Sequence, residues 1–494
     1  MKRSATAFRA TGIALLAALV GHLRGDDSPP PGWDRTPEAA LDALLAARPG
    51  NPDLLLVRAR TLEELSERAG RDPRPIVLAR YTMAILDAGD RERLGPALER
   101  WKAAAPENAL PWILDANRKW EARDLPGFLA AFDEACRKPS FDPHDREMLR
   151  LRFHLAREGG VVRPSALHDY VGLYLMPWLQ QVKTAMVVFA SWAQGRLLRG
   201  DTALLDPIDR AADLAGKMEL PASPAITFMV ALAYRSILTS RLAPALAAGG
   251  ETGRAGAMLA AVVEVNARYR RFGKCIEGGI DFPFDLPWSE AGFDPHLDSS
   301  PHRGLAVLEE WYEGGEYEWV LDRVAAAETP PRDRWPTAFL EALPLFEEAS
   351  WSEDRVDRLV ELVRGEGLAR AGAGEYDSPH GQVVEAAACT LFRTPETLRE
   401  RVLEGIKDED DSPARWIREA FSPGSGEYSP FAFDCSPAQI GYLMSLERAE
   451  DSKEFLIDQL ATSEFEESRV AAYLALVDLT GEDHGLDPEA WRAR

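Results

Sequence analysis

Cysteine is scarce in this chain. Only Cys136, Cys275, Cys389 and Cys435 occur in 494 residues, and none shares a C-x-x-C spacing. That excludes a dense disulfide framework and a cysteine-based zinc site. Two of the four can still pair in an exported chain, and sequence does not rank the pairings. Histidine is equally thin. The eight histidines are scattered, with no pair at i, i+3 or i, i+4, so a helical metal clamp is unsupported. Motifs whose chemistry demands fixed spacing are also missing. There is no phosphate loop ending in Lys-Ser/Thr, no G-x-G-x-x-G after a strand, no H-E-x-x-H, no G-x-S-x-G and no calcium-loop ladder. Alternating β-branched runs bounded by Asn-Gly or Asp-Gly do not occur either, which argues against a sheet. Positive charge is in deficit, with 57 Lys+Arg against 80 Asp+Glu and a net charge of -23. Such a balance repels phosphate backbones and speaks against nucleic acid as a partner.

Long apolar runs are missing too. The stretches Val171–Leu179 and Ile226–Leu238 are interrupted by Pro177 and Arg235 and flanked by Gln180, Gln181 and Lys183. Both fall short of the roughly 20 residues needed to span a bilayer and read as buried helices. The N-terminus MKRSATAFRATGIALLAALVGHLRGDD sets Lys2, Arg3 and Arg9 ahead of an apolar run from about Gly12 to Val20. This is the layout of a secretory signal and leads us to expect export to the periplasm, the envelope or the medium. Cleavage sites at Gly21 or Gly25 are poor, because Leu19 or Leu23 stands two residues earlier.

What the chain does have is helical periodicity, with 46% apolar and 28% charged residues to support a packed core. After a Pro-rich linker at 26–35, residues 36–160 alternate amphipathic stretches with short turns. Ala109, Trp112, Ile113, Ala116 and Trp120 fall on one face, and Leu125, Phe128, Leu129, Phe132 and Ala135 on the next. The short turn Ala122-Arg123-Asp124 makes these neighbours antiparallel. Proline-marked turns recur at Arg48-Pro49-Gly50-Asn51-Pro52, Ala105-Pro106-Glu107-Asn108 and Pro139-Ser140-Phe141-Asp142-Pro143. Residues 161–272 hold longer helices, expected at Val182–Leu198, Ala203–Met218, Ile226–Ala248 and Thr252–Arg271. A linker rich in Asp, Pro and aromatics occupies 273–300, and helices resume over 301–494.

Pro106 and Ser140 are 34 residues apart, the tetratricopeptide period. With NPDLLLVRARTLEEL and NALPWILDANRKWEARDLPGFLAAFDEA, the 36–160 segment resembles tetratricopeptide repeats, although Trp, Gly and Tyr do not recur at the family's fixed offsets. The tail FLIDQLATSEFEESRVAAYLALVDLTGEDHGLDPEAWRAR resembles the closing unit of a HEAT-type array, with Val470, Tyr473, Leu474 and Val477 in one stripe, a Thr480-Gly481 stop, and Pro488 to Trp491 folding back. Together these resemblances imply an all-α fold, an α-solenoid of antiparallel helical hairpins, tetratricopeptide-like in its N-terminal half and HEAT-like in its C-terminal half.

Candidate chemistry is sparse. Gly424-Ser425-Gly426 lacks the strand of a nucleophile turn and reads as a loop. His296 and His302 flank Asp294 and Asp298, where either a loosely held metal or a solvated loop fits. Cys136 and His144 can be drawn as thiol and base, but Cys136 continues the Phe132 stripe and reads as buried. Exposed aromatics beside carboxylates suit sugars, basic peptides or cationic partners. The candidate interaction surface is therefore Phe282, Phe284 and Trp288 in the linker with Trp311, Tyr317 and Trp319 beyond it. The bland alternative makes them core knobs with the acids in water. The sequence implies no catalytic residue, cofactor or metal. It points to an exported helical-repeat scaffold for an unidentified protein or peptide. A carbohydrate-active hydrolase or lyase on a helical toroid, with a glycan in an acidic cleft, is the alternative, and a structural spacer is a third.

Overall fold

In the computed structural model, the described residues are 31–167, 178–218, 225–276, 334–347, 350–364, 381–407, 453–463 and 466–493, with isolated positions between. They are all-α. The one β-type pairing among them is an isolated bridge between Asn108 and Ser140. The signal-like segment at 1–25 and most of the 273–300 linker lie outside them.

Proline and small polar residues set the helix starts. Helices α1 (Pro37–Ala47), α2 (Pro52–Arg58) and α4 (Pro75–Ala88) begin on proline, whose missing N–H would have no partner there anyway. Asn51 caps α2 by accepting from the N–H groups of Asp53 and Leu54. Helix α3 (Leu62–Arg71) opens on a reciprocal Thr61/Glu64 capping box. Next come α5 (Arg91–Ala104), α6 (Leu110–Glu121), α7 (Leu125–Arg137) and α8 (Asp145–Glu158). Gly89 ends α4 at φ 67°, a left-handed conformation that costs glycine nothing.

Consecutive helices from α3 to α7 pack on one another, while α8 returns to cover α1 and α2. The recurrent turns are joined to each other. The Asn108 side chain accepts from the Asp142 N–H at 3.0 Å and donates to the Asp142 carbonyl at 2.6 Å, while Ala109 N–H donates to the Ser140 carbonyl at 2.8 Å. A turn thus binds the equivalent turn of the next hairpin and fixes the spacing between them.

The middle holds α9 (Trp178–Leu198), α10 (Leu205–Met218), α11 (Ala225–Ala248) and α12 (Thr252–Ile276), the last running into the segment read as linker. Beyond them lie α13 (Arg334–Glu347), α14 (Glu353–Val363), α15 (Gly381–Leu391), α16 (Glu396–Gly405), α17 (Lys453–Thr462), α18 (Glu466–Thr480) and α19 (Pro488–Arg492). Helix α9 is buried over most of its surface: Val182, Ala185, Met186, Val188, Phe189, Ala190 and Ala193 are all buried, while Gln180 and Lys183 near its start are exposed. It meets α6, α11 and α18, so elements remote in sequence enclose it.

An aromatic file crosses this centre. Tyr473 of α18 meets Trp120 edge-on at 5.4 Å, Trp120 lies 6.1 Å from Phe128, Phe128 stacks on Phe132 at 5.8 Å, and Phe132 stacks on Phe189 of α9 at 4.7 Å. Leu474 on α18 is 5% exposed, whereas Leu129 on α7 is only partly buried. Leu474→Ala is therefore expected to cost about 2 to 5 kcal/mol in urea unfolding and Leu129→Ala clearly less; equal losses would contradict this placement.

Candidate functional site

Phe282, Phe284, Trp288, Trp311, Tyr317 and Trp319 lie outside the described residues, as do His296, His302 and the Gly424–Gly426 loop. Cys136 and His144 are described, and they do not form a thiol–base pair. Cys136 is 3% exposed, and burial above all, with the Asp133 charge, pushes its thiol up to about 12. It stays protonated at neutral pH and is no nucleophile. His144 starts α8 at φ 59° and faces acids: its Nδ1 lies 3.2 Å from Glu147 Oε2 and 3.5 Å from Asp142 Oδ2. Burial pulls its pKa down, but the Glu147 hydrogen bond and the charges of Asp142, Glu147 and Asp145 outweigh burial and leave it raised. Among the described residues no cluster of three or more His, Cys, Asp or Glu could hold a metal ion.

A buried ion pair sits between α5 and α6. Lys102 and Asp115 are 2.7 Å apart, with side chains 7% and 4% exposed. Asp115 also takes Arg118 at 2.7 Å and Lys119 at 3.4 Å. Desolvation raises the Asp115 pKa, but the bonds from Lys102 and Arg118 overcome it and hold the carboxyl below its usual range. The Lys102 Nζ rests 4.2 Å from the Trp112 ring centroid, and the Lys138 Nζ lies 4.9 Å from the same ring. Both buried charges are satisfied by protein groups, so this cluster is a joint and offers no open valence to a ligand.

An open cavity of about 360 Å3 lies between α2, α3 and α4, lined by Gly50, Pro52, Leu56, Arg68, Arg71, Asp72, Pro73, Arg74 and Val77. Leu56 and Val77, both buried, form its floor. The α3–α4 turn supplies its polar wall. Asp72 and Arg74 each precede a proline, which drives both into extended backbone and ends α3 at Arg71. Arg74 is fully engaged: its Nη2 donates to Asp72 at 2.8 Å and its Nη1 to Asp53 at 2.7 Å. Those carboxylates raise its pKa, the Asp72 hydrogen bond most of all, and Asp72 is lowered in turn. Arg68 and Arg71, one helical turn apart, complete the wall. The signal for this site in the sequence is RAGRDPR, where arginines at intervals of three run off a helix end into two X-Pro steps; a search for catalytic motifs passes over it.

No protein-family model, curated protein or solved structure matches the chain.

Asp115→Ala leaves the buried Lys102 with the exposed Glu99, 2.7 Å away, as its remaining carboxylate and is expected to cost about 1 to 3 kcal/mol by chemical denaturation; a loss within about 0.5 kcal/mol would mean that water reaches the pair. The His144 contribution has a definite sign. A raised folded pKa means that it is fully present below the unfolded value of about 6.5 and is lost as pH rises through the folded value. The melting-temperature gap between the unmodified chain and His144→Gln should therefore be wider at pH 6 than at pH 8.5, and a gap widening with pH would reverse the assignment.

Proposed function

We propose that the protein is an exported helical-repeat scaffold that holds a protein or peptide partner. Its hairpins are tetratricopeptide-like over 36–160 and HEAT-like over 301–494. The observation that carries this reading is the open cavity of about 360 Å3 on the face of consecutive hairpins α2 to α4, where polar groups converge over an apolar floor. Stacked helical pairs create extended concave surfaces, and such surfaces serve recognition. Support for export is the basic, apolar, then acidic order of the first residues, Lys2 to Asp27. No described helix is long and apolar enough to cross a membrane.

The test is native co-purification of the tagged chain from envelope and medium fractions at low and moderate salt, followed by reconstitution from separately purified components. A companion that returns at fixed stoichiometry in the reconstituted complex is the expected result. Recovery of the chain in the cytoplasmic fraction, or of no stoichiometric companion at either salt, would overturn the proposal.

A further inference from the structure

The charge in the cavity is unevenly used. Arg74 spends its guanidinium on Asp72 and Asp53. Arg71 is 68% exposed and pairs with Glu67 at 2.9 Å. Arg68 differs from both. Its side chain is only 24% exposed, and the nearest carboxylate oxygen, on Glu67, is 3.8 Å away, beyond hydrogen-bonding range. The Arg68 side chain thus stands three-quarters buried at the wall of a cavity, and its guanidinium, whose nitrogens are not sealed from the open space, has no hydrogen-bond acceptor among the described residues. A guanidinium confined at a cavity wall with its donors unused is placed to bind an anion that enters the cavity.

We infer that Arg68, with Arg71, receives a single carboxylate on a ligand whose apolar body fills the floor formed by Leu56 and Val77. This deepens the proposed recognition role and rests on it, since it names the chemistry that the cavity selects. Three features set the class. The guanidinium fork matches the two oxygens of a carboxylate, and Arg68 and Arg71 at i, i+3 lie on one side of α3. The floor and the prolines at the rim, Pro52 and Pro73, give a hydrated inorganic anion nothing to bury against and reward an aliphatic or aromatic group. The charge count favours one negative charge over two: Arg68, Arg71 and Arg74 stand against Asp72, Asp53 and Glu67, a balanced set before any ligand arrives. The surroundings do not repel such a ligand as the whole chain would. Residues 36–160 carry 20 Lys+Arg and 21 Asp+Glu, so nearly all of the net -23 lies elsewhere. Two sources fit this chemistry, the C-terminus of a peptide and an acidic side chain beside an apolar one.

The experiment titrates the full chain with four probes by ligand-observed NMR: N-acetyl-leucine, N-acetyl-leucinamide, N-acetyl-leucyl-aspartyl-amide and inorganic phosphate. N-acetyl-leucine or the aspartyl-amide should bind, whichever is tighter giving the source, with the neutral amide and phosphate weaker by at least about tenfold, the share of one charge-assisted hydrogen bond. Arg68→Gln should abolish that preference over the neutral amide. Glu67→Gln, which releases Arg71, should tighten the acid probe, an effect that a purely structural Arg68 would not produce. Arg71 is exposed, so Arg71→Gln reports on binding even if the Arg68 variant folds poorly. Equal affinity for acid and amide, phosphate at least as tight as either acid, or weaker binding in Glu67→Gln would each overturn the assignment. These readouts need no protein partner: a cavity that takes the acid while no companion co-purifies would leave the chemistry standing and defeat the scaffold reading, and the converse result would do the opposite.

Discussion

The rest of the structure depends on the enclosure of α9. A helix apolar over most of its circumference has little to give to water beyond Gln180 and Lys183 near its start, so it must be walled in on several sides. No single neighbour can do this. The walls come from α6 in the N-terminal array, α11 in the middle and α18 near the C-terminal end, and the aromatic file from Tyr473 to Phe189 is the seam where three of these bodies meet. Repeat arrays in which each unit touches only its neighbours have stabilities that add along the chain. Here consecutive helices from α3 to α7 pack in order, but α8 returns to α1 and α2, and α9 ties helices near both ends to one core.

A second regularity concerns helix C-termini. Each helix leaves carbonyls without partners, and in a packed stack many of these ends are hidden from water. The chain meets that need with cations sent from neighbouring helices. Lys217 on α10 donates to the carbonyls of Cys136 and Lys138 at the end of α7. Arg100 reaches Ala69 near the end of α3, and Arg355 reaches Leu345 in α13. Arg393 spans two ends at once, donating to Ala248 of α11 and Leu198 of α9. Each contact joins a charge to the negative end of a helix dipole, worth about 0.3 to 1 kcal/mol at a surface and more when partly buried. These cations are thus committed to architecture, whereas Arg68 at the cavity wall has no hydrogen-bond acceptor among the described residues.

Much of the fold was legible in the residues. The stripes Ile113, Ala116 and Phe128, Phe132, Ala135 are buried as their spacing requires, and Thr480-Gly481 ends α18 with Gly481 at φ 71°. The long middle helices fall close to the ranges read from periodicity, because apolar continuity and flanking glycines mark their ends. Periodicity was silent on which distant helix would cover α9, since a helix apolar over most of its circumference does not say which of its faces meets which neighbour. Pro96, Pro244 and Pro344 sit inside helices, where turn chemistry alone would put a break. The candidate site was less legible than the fold. Aromatic–acidic stretches drew the eye, whereas the arginine cavity depends on three helices meeting, and only RAGRDPR hints at it.

The closure of α18 onto α9 also bears on the order of events in folding. The Arg199–Asp478 pair joins residues 279 positions apart, so the contact must wait for a long stretch of chain to be made and gathered in. Loop closure of this length is slow relative to the formation of local hairpins. The hairpins of 36–160 can form early from near-neighbour contacts, but α9 keeps an apolar flank open until α18 arrives. Assembly is therefore asymmetric in time, with early local helix pairs and a late step that seals the centre. During that interval the unsealed flank of α9 is the surface on which misassociation or chaperone capture would act.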